Sequence, residues 1–309
     1  MALTIGQTAT VSFPAILAAK RKPANQWAQS SLLMEMDRQG FIIRKALGAT
    51  IDVPLDYRAN PDGAFVTELQ TFGMSKTEVL TTATYSPAEL SVPVKWSKLD
   101  EATNPTENQK VALVTSLISN AIETHDDLLE QGLFATSTSG FLGYGTHITT
   151  AGTGSDGGID SSVETWDRNQ QSTYVDDTHI ESAFTSVYNS SAKGSGSSHV
   201  PTLMVSDGAT QAIFEGTQQA LQRWNDTQSA KAGFKVLAFK TANYVFSPRG
   251  GSSVFFTNPT DYQLIVSSSF FRDLGETEPI PNAQGYVKKL YSALQTAVLN
   301  RSRLGVAHI

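Results

Sequence analysis

The residues of this chain whose types could do chemistry are few, and their spacing argues against most of the chemistry they suggest. Ser190-Ser191-Ala192-Lys193 satisfies the serine-x-x-lysine pattern in which a lysine activates a serine nucleophile, but that chemistry also needs a Ser-Asp-Asn and a Lys-Thr-Gly farther along. Here Ser206-Asp207-Gly208 and Lys240-Thr241-Ala242 each miss the last residue, and no G-x-S-x-G elbow is present. The five histidines, His125, His147, His179, His199 and His308, never fall three or four apart, the spacing that sets two metal ligands on one helical face. His125-Asp126-Asp127 clusters donors, yet consecutive helical residues point in different directions, so His125 reads as a helix-surface histidine among charges. The glycine runs Gly152 to Gly158 and Gly194 to Ser198 do not continue into the Gly-Lys-Ser/Thr of a phosphate loop and read as linkers. With no cysteine there is no thiol nucleophile, disulfide or cysteine zinc site. These residues predict neither an enzyme nor a cofactor or metal site.

One polar loop does commit a large aromatic. Gly157-Gly158-Ile159-Asp160-Ser161-Ser162 is followed by Trp166-Asp167-Arg168-Asn169-Gln170. The glycines supply backbone freedom, Asp160 and Ser161 offer local caps, and Trp166 is a rigid anchor with one donor that wants a partner when buried. This is the pattern of a docking loop.

The elements that must position such a loop fit an α+β chain. At 309 residues there is ample length for a core, in one large or two modest domains. The charged fraction of 17% is low for a protein diffusing alone and suits one whose surface is covered by neighbours. A net charge of −6 argues against a wide grip on nucleic acid, which needs a lysine and arginine excess. No apolar run approaches the ~20 residues of a membrane span, and the first residues lack a signal-peptide pattern, so the chain is expected to stay in the cytoplasm or assemble there.

Residues 1 to 25 read as an extended arm ending in the basic run Lys20-Arg21-Lys22, either a solvated patch or a phosphate contact. Loose helical spacing between Trp27 and Leu47, broken by Gly40, predicts a short helix. Ile51, Val53, Leu55 and Tyr57 alternate, and so do Leu90, Val92, Val94 and Trp96, predicting the two strands of a ribbon. Pro54 and Pro93 confine these strands to edges or to a two-stranded arrangement. A long helix is expected from Asn104-Pro105 to Leu133, closed by Gly132, with Val114, Leu117, Ile118, Ala121, Ile122, His125, Leu128 and Leu129 inward and Glu123, Asp127 and Glu130 mostly off that stripe. A helix over Thr178 to Asn189, a buried strand at Leu203-Met204-Val205, and a helix capped by Ser206-Asp207 and carrying Ile213, Phe214, Leu221 and Trp224 follow. Strands are expected at Phe234 to Lys240, Tyr244 to Ser247, Val254 to Thr257 and Tyr262 to Ser267, with a turn at Gly250-Gly251. A long strand from Val287 to Asn300 completes the set.

The loop from Gly157 to Gln170 resembles a segment of the major capsid proteins of tailed bacteriophages, a family built on the Hong Kong 97-like capsid fold. VPLDYRANPDG from Val53 to Gly63 and LNRSRLGVAHI from Leu299 to Ile309 are similar to the family in the same order. The resemblance implies an N-terminal arm and short helix in residues 1–47 and a β-ribbon, the E-loop, in 48–98. It further implies a peripheral domain from 99–150 and about 261–300 with its spine helix at 105–133, and an axial domain over about 151–260 to which 301–309 returns. It implies a non-enzymatic subunit that self-assembles into hexamers and pentamers of an icosahedral or prolate shell around packaged double-stranded DNA, in the host cytoplasm and then the virion. Portal, decoration and, with no charged helical extension before Met1-Ala2-Leu3-Thr4, separate scaffolding proteins are the implied partners. Inter-subunit contacts are expected at Lys20, Arg21, Lys22, Arg58, Asp62, Lys76, Glu78, Trp166 and Arg168. Some relatives cross-link a ribbon lysine to a neighbour's asparagine with a glutamate's help, and Lys76 with Glu78 is the available pair, although an ordinary ion-pairing lysine is the plainer reading. An encapsulin-like nanocompartment shell holding enzyme cargo is the alternative.

Overall fold

The alternating segments of the sequence gather into two sheets and a separate ribbon. The computed structural model describes residues 32–60, 63, 65, 78–103, 107–193, 199–219 and 237–309. In the five-stranded sheet, Tyr262–Leu274 and Gly285–Val298 form a long antiparallel pair. Ile42–Lys45 lies parallel to the first of these, Ala88–Ser97 runs antiparallel along the free edge of the second, and Glu278–Pro279 extends the pair. In the six-stranded sheet the order is Leu237–Phe239, Ala242–Phe246, Leu203–Ser206, Val254–Thr257, Gly305–His308 and Gln170–Thr173. The last residues of the chain thus return to pair with Val254–Thr257 and Gln170–Thr173.

Two apolar layers flank the six-stranded sheet. Leu203, Val205 and Val306 of the six-stranded sheet meet Tyr262, Leu264 and Leu294 of the five-stranded one in a shared central core. The other face of the six-stranded sheet packs Phe256 and Tyr244 against Phe184 and Phe214 from the helices Ile180–Ser191 and Gly208–Gln219. Both helices follow the expected signals, and Asp207 caps the second by accepting from the Thr210 N–H at 2.8 Å. Leu221 and Trp224, expected on that helix, lie outside the described residues.

The short helix is Leu32–Gln39, ended by Gly40 at φ +83°, so the second half of the segment expected to be helical instead leads through Phe41 into the strand Ile42–Lys45 that joins Tyr262–Leu274. The ribbon corrects a second expectation. Ile51–Asp56 pairs with Leu80–Tyr85, not with the segment around Leu90 to Trp96. That segment, Ala88–Ser97, belongs to the large sheet, where Pro93 sits on the edge strand opposite Lys289. Alternation marks a strand with one buried face but not its partner, and the threonines of LTTATY hid the true return arm, whose inward residues are Ala83 and Tyr85.

The long helix, Glu107–Phe134, lays Val114, Ile118 and Ile122 on Val92, Val94 and Trp96. It runs past Gly132, which is needed because a Cβ there would sit 2.9 Å from the Phe141 ring. The acidic residues expected off the stripe are buried: Glu123 is 5%, Asp127 7% and Glu130 0% exposed, while Leu128, expected inward, is 40% exposed. Along this stretch the helix buries most of its circumference and leaves only a narrow exposed strip at Asn120, Leu128 and Gln131, and its charges are met by groups far away in sequence. Arg249 reaches Asp127 at 2.6 Å, Arg272 binds Asp126, and Glu130 accepts the Ser247 hydroxyl and, at 3.2 Å, the Leu32 N–H.

Candidate functional site

The loop that stood out in the sequence folds as a tight hairpin, Ser155–Asp156 against Ile159–Asp160. Gly157 and Gly158 form its turn with φ +55° and +85°, both in the left-handed region that a two-residue hairpin demands. The run expected to be a linker is therefore built and docked. The Thr84 N–H on the ribbon donates to the Gly157 carbonyl at 3.0 Å, and a Cβ on Gly157 would stand 2.7 Å from the Ala83 Cβ. The Trp166 indole donates to Glu164 at 2.7 Å, while its ring lies 5.4 Å from that of Tyr57 on the ribbon.

Behind the hairpin lies a buried polar chain. Asp156 accepts from Tyr85 Oη at 3.4 Å and faces His147 Nδ1 at 2.9 Å; His147 Nε2 lies 2.8 Å from Thr296 Oγ1 on the last long strand. Arg301, 2% exposed, threads the same site. Its Nε donates to the His147 carbonyl at 2.6 Å, and its Nη1 donates to the Gly154 carbonyl at 3.0 Å and to Ser161 Oγ at 2.9 Å. Asp167 lies 3.5 Å from Arg301; burial pushes its carboxyl up to about 6, Arg301 opposes that rise and Asp156 adds to it. Burial and then Asp156 likewise raise the Tyr85 phenol.

A similar chain stands four residues earlier on the same strand, two repeats of the pleat away. His125 Nε2 lies 2.8 Å from Ser292 Oγ and His125 Nδ1 3.3 Å from Asp126. His125 is fully buried, as its place on the apolar stripe of the long helix implied and against the surface position its acidic neighbours suggested. Both chains have the hydroxyl, imidazole and carboxylate order of a catalytic triad. Neither can act as one. Ser292 is 1% and Thr296 0% exposed, the Arg272 N–H donates into Ser292 Oγ at 2.8 Å, and Thr296 Oγ1 donates to the Leu142 carbonyl. With no room for a substrate carbonyl at either oxygen, the histidines serve as struts between elements. The Ser190 and Lys193 pair is exposed and distinct from Ser206, which is engaged with the Tyr244 hydroxyl at 2.6 Å.

Of the residues singled out by sequence, the structure brings Trp166 and Arg168 to the hairpin. Arg168 donates to the Ser161 carbonyl at 3.0 Å and the Ser162 carbonyl at 3.3 Å. Glu78 touches the site only through its carbonyl, which accepts the Tyr57 hydroxyl at 3.0 Å, and Arg58 is exposed beside it. Lys20, Arg21, Lys22, Asp62 and Lys76 lie outside the described residues. That His147, Asp156, Thr296 and Arg301 join in one site was not legible in the sequence, because 149 residues separate the histidine from its hydroxyl and no motif spans that distance. Among the described residues no group of His, Asp and Glu is arranged to hold a metal ion, and no helix is long and apolar enough to cross a membrane.

No protein-family model and no curated protein matches the chain. Solved structures do. The capsid asymmetric unit of cyanophage A-1(L) superposes with a TM-score of 0.65 at 11% identity, covering 93% of this chain and 94% of its own. The holo-SrpI encapsulin complex from Synechococcus elongatus PCC 7942 gives 0.60 at 11% identity, covering 96% and 94%. A virus-like particle from Pyrococcus furiosus gives 0.52 at 10% identity, covering 99% and 100%. The fold of this chain is the Hong Kong 97-like capsid fold expected from its sequence.

Proposed function

We propose that this chain is the major capsid protein of a tailed bacteriophage, a non-enzymatic subunit that assembles into hexamers and pentamers of a closed shell around double-stranded DNA. The observation that carries the reading is the likeness over nearly the whole chain to shell subunits, 93% in the cyanophage capsid case. In this reading the ribbon is the E-loop, the long helix and five-stranded sheet form the peripheral domain, and the six-stranded sheet with residues 301–309 forms the axial domain. Many weak contacts between copies then add steeply with valency. The net charge of −6 suits a wall that tolerates packaged DNA without gripping it. A scaffolding protein encoded apart, a portal and a decoration protein are the partners, and the assembled site is the virion, reached from the host cytoplasm.

The likeness to the SrpI encapsulin and to the Pyrococcus particle favours a second reading, a nanocompartment shell with enzyme cargo. Expression of the chain alone, followed by negative-stain microscopy and light scattering, tests both. Closed shells or capsomer rings are expected, and a monomer that persists at high concentration, even with the neighbouring genes co-expressed, would overturn the shell function. Nucleic acid or a co-purifying enzyme inside shells recovered from the native source separates virus from compartment. Deleting residues 60–76 should leave a folded subunit that forms no closed shells; shells at wild-type yield would remove the ribbon from the assembly mechanism.

A further inference from the structure

We infer that the hairpin Ser155–Asp160 and the Trp166 turn after it form a bracket that fixes the direction in which the ribbon leaves the body, making Gly157 and Trp166 positioning residues for shell geometry. The geometry stands by itself, and its consequence for shells rests on the reading above. The ribbon is a two-stranded sheet that shares no strand pairing with either large sheet. Such a ribbon has little stability of its own, so other contacts must set its direction. The apolar contact of Val53, Leu55, Ala83 and Tyr85 with Ile265 and Ala297 holds it down but is non-directional.

The body gives one directional contact at the ribbon's end, where Gln295 Nε2 donates to the Ser86 carbonyl at 2.6 Å; the bracket adds directional contacts in two further places. Near the base, the Gly157 carbonyl accepts from the Thr84 N–H at 3.0 Å and Asp156 accepts from Tyr85. Past the far end of the described strand, Trp166 packs on Tyr57 with ring centres 5.4 Å apart. Thr84 stands opposite Asp52, so the two contacts are about 17 Å apart along the ribbon. A lever held at one point swings; held at two points that far apart, it has a defined angle. The bracket itself is anchored to the body by His147 on Thr296 and by Arg301 on the Gly154 carbonyl and Ser161. A small displacement at the bracket is therefore passed to the ribbon and, through it, to the tilt between neighbouring copies.

The two turn glycines provide an internal control. Gly157 and Gly158 both have positive φ, so alanine at either meets the same kind of left-handed backbone strain. Alanine at 157 also drives a methyl to 2.7 Å from Ala83, whereas at 158 nothing lies within 4 Å. Only the first should push the ribbon, by about 1 Å at the contact if ordinary carbon separation is restored. Because the chain has no cysteine, Thr82→Cys on the ribbon and Asp177→Cys on the body can be spin-labelled cleanly and their separation measured in the full chain. Gly157→Ala is expected to shift the mean separation and change the diameter of the shells seen by microscopy, and Gly158→Ala to leave both as in the parent. Trp166→Ala should broaden the separation and the range of shell diameters, and Trp166→Phe should restore both by keeping the ring on Tyr57. If Gly157→Ala fails to fold, the Trp166 pair decides. Parental distances and diameters in both Gly157→Ala and Trp166→Ala would overturn the bracket. If the parent itself never assembles, the shell reading fails, and the bracket stands or falls on the label distances alone.

Discussion

Two histidine struts hang from one strand, Gly285–Val298, and what each reaches differs. His147, on Thr296, leads through Asp156 and Tyr85 to the ribbon. His125, on Ser292, leads through Asp126 to Arg272, whose φ of +54° falls where Tyr262–Leu274 slips register between Phe271 and Asp273. Each imidazole is wedged edge-on against aromatic rings, Tyr85 and Tyr262 for the first and Phe271 for the second. The same three-group chemistry thus ties a projecting arm to the body in one place and the long helix to a bent sheet in the other. A buried polar chain acts according to what stands at its ends. These ends are in the ribbon and in the helix, not in a cleft.

The sharpest way to break the comparison is at the cations. Arg301 is 1% exposed at its side chain and Arg272 27%, so removing Arg301 leaves Asp167 and several carbonyls without their partner in a dry site. Arg301→Ala is expected to cost about 3–5 kcal/mol in urea unfolding of the subunit and Arg272→Ala distinctly less. Equal costs would mean that the ribbon-side chain is no more tightly built than the helix-side one.

Protonation separates the two regions next. On the helix side, burial pushes the Glu130 carboxyl up to about 7, helped by Asp127 and opposed by Ser247 and the Leu32 N–H. The folded state then holds this proton more tightly than the unfolded chain. Its contribution is therefore most favourable below the ordinary carboxylate range and is lost as pH rises through about 7. The full swing is about 3 kcal/mol. Asp167 on the ribbon side, pushed to about 6, follows the same sign over a lower window. Stability of the isolated subunit should fall between pH 5 and pH 7.5. Glu130→Gln should flatten the upper part of that fall and Asp167→Asn the lower part, as read from unfolding midpoints across pH.

Replacing each histidine sharpens the contrast further. His147→Ala and His125→Ala should each cost about 2 kcal/mol, since each removes one buried hydrogen bond to a carboxylate and one to a hydroxyl. The location of the loss should differ. Hydrogen exchange should accelerate at residues 80–85 in the first and at 290–292 in the second, and identical patterns would show one cooperative unit where two are expected. The smallest effect is expected at Tyr57→Leu, about 1 kcal/mol or less, because only the ring contact with Trp166 and one hydroxyl bond are lost.

Much of this architecture was legible before the tertiary structure. The helix at 180–191 and the Asp207 cap follow from local spacing, and the long closing strand from its apolar density. The docking loop was legible as a loop with an anchor, because two glycines before a polar turn and a tryptophan have few other uses. What it docks on was not. Leu90 to Trp96 and Ile51 to Tyr57 alternate equally well, and nothing local distinguishes a ribbon arm from an edge strand that meets a helix. Glu123, Asp127 and Glu130 looked like a wet helix face because acidic side chains normally are one.

By itself the sequence determined the local conformations, the caps and turns, the absence of any complete catalytic motif, and a resemblance strong enough to anticipate the fold. Those are properties of neighbouring residues, where a proline, a glycine or a period of two or 3.6 acts directly on the backbone. The tertiary structure alone decided which strands pair, that both central histidines are buried struts, and that Gly157 abuts Ala83. Those depend on groups such as Arg301 and His147, 154 residues apart in the chain and 2.6 Å apart in space. Burial gives such contacts their strength, and burial is decided only when the whole chain has folded.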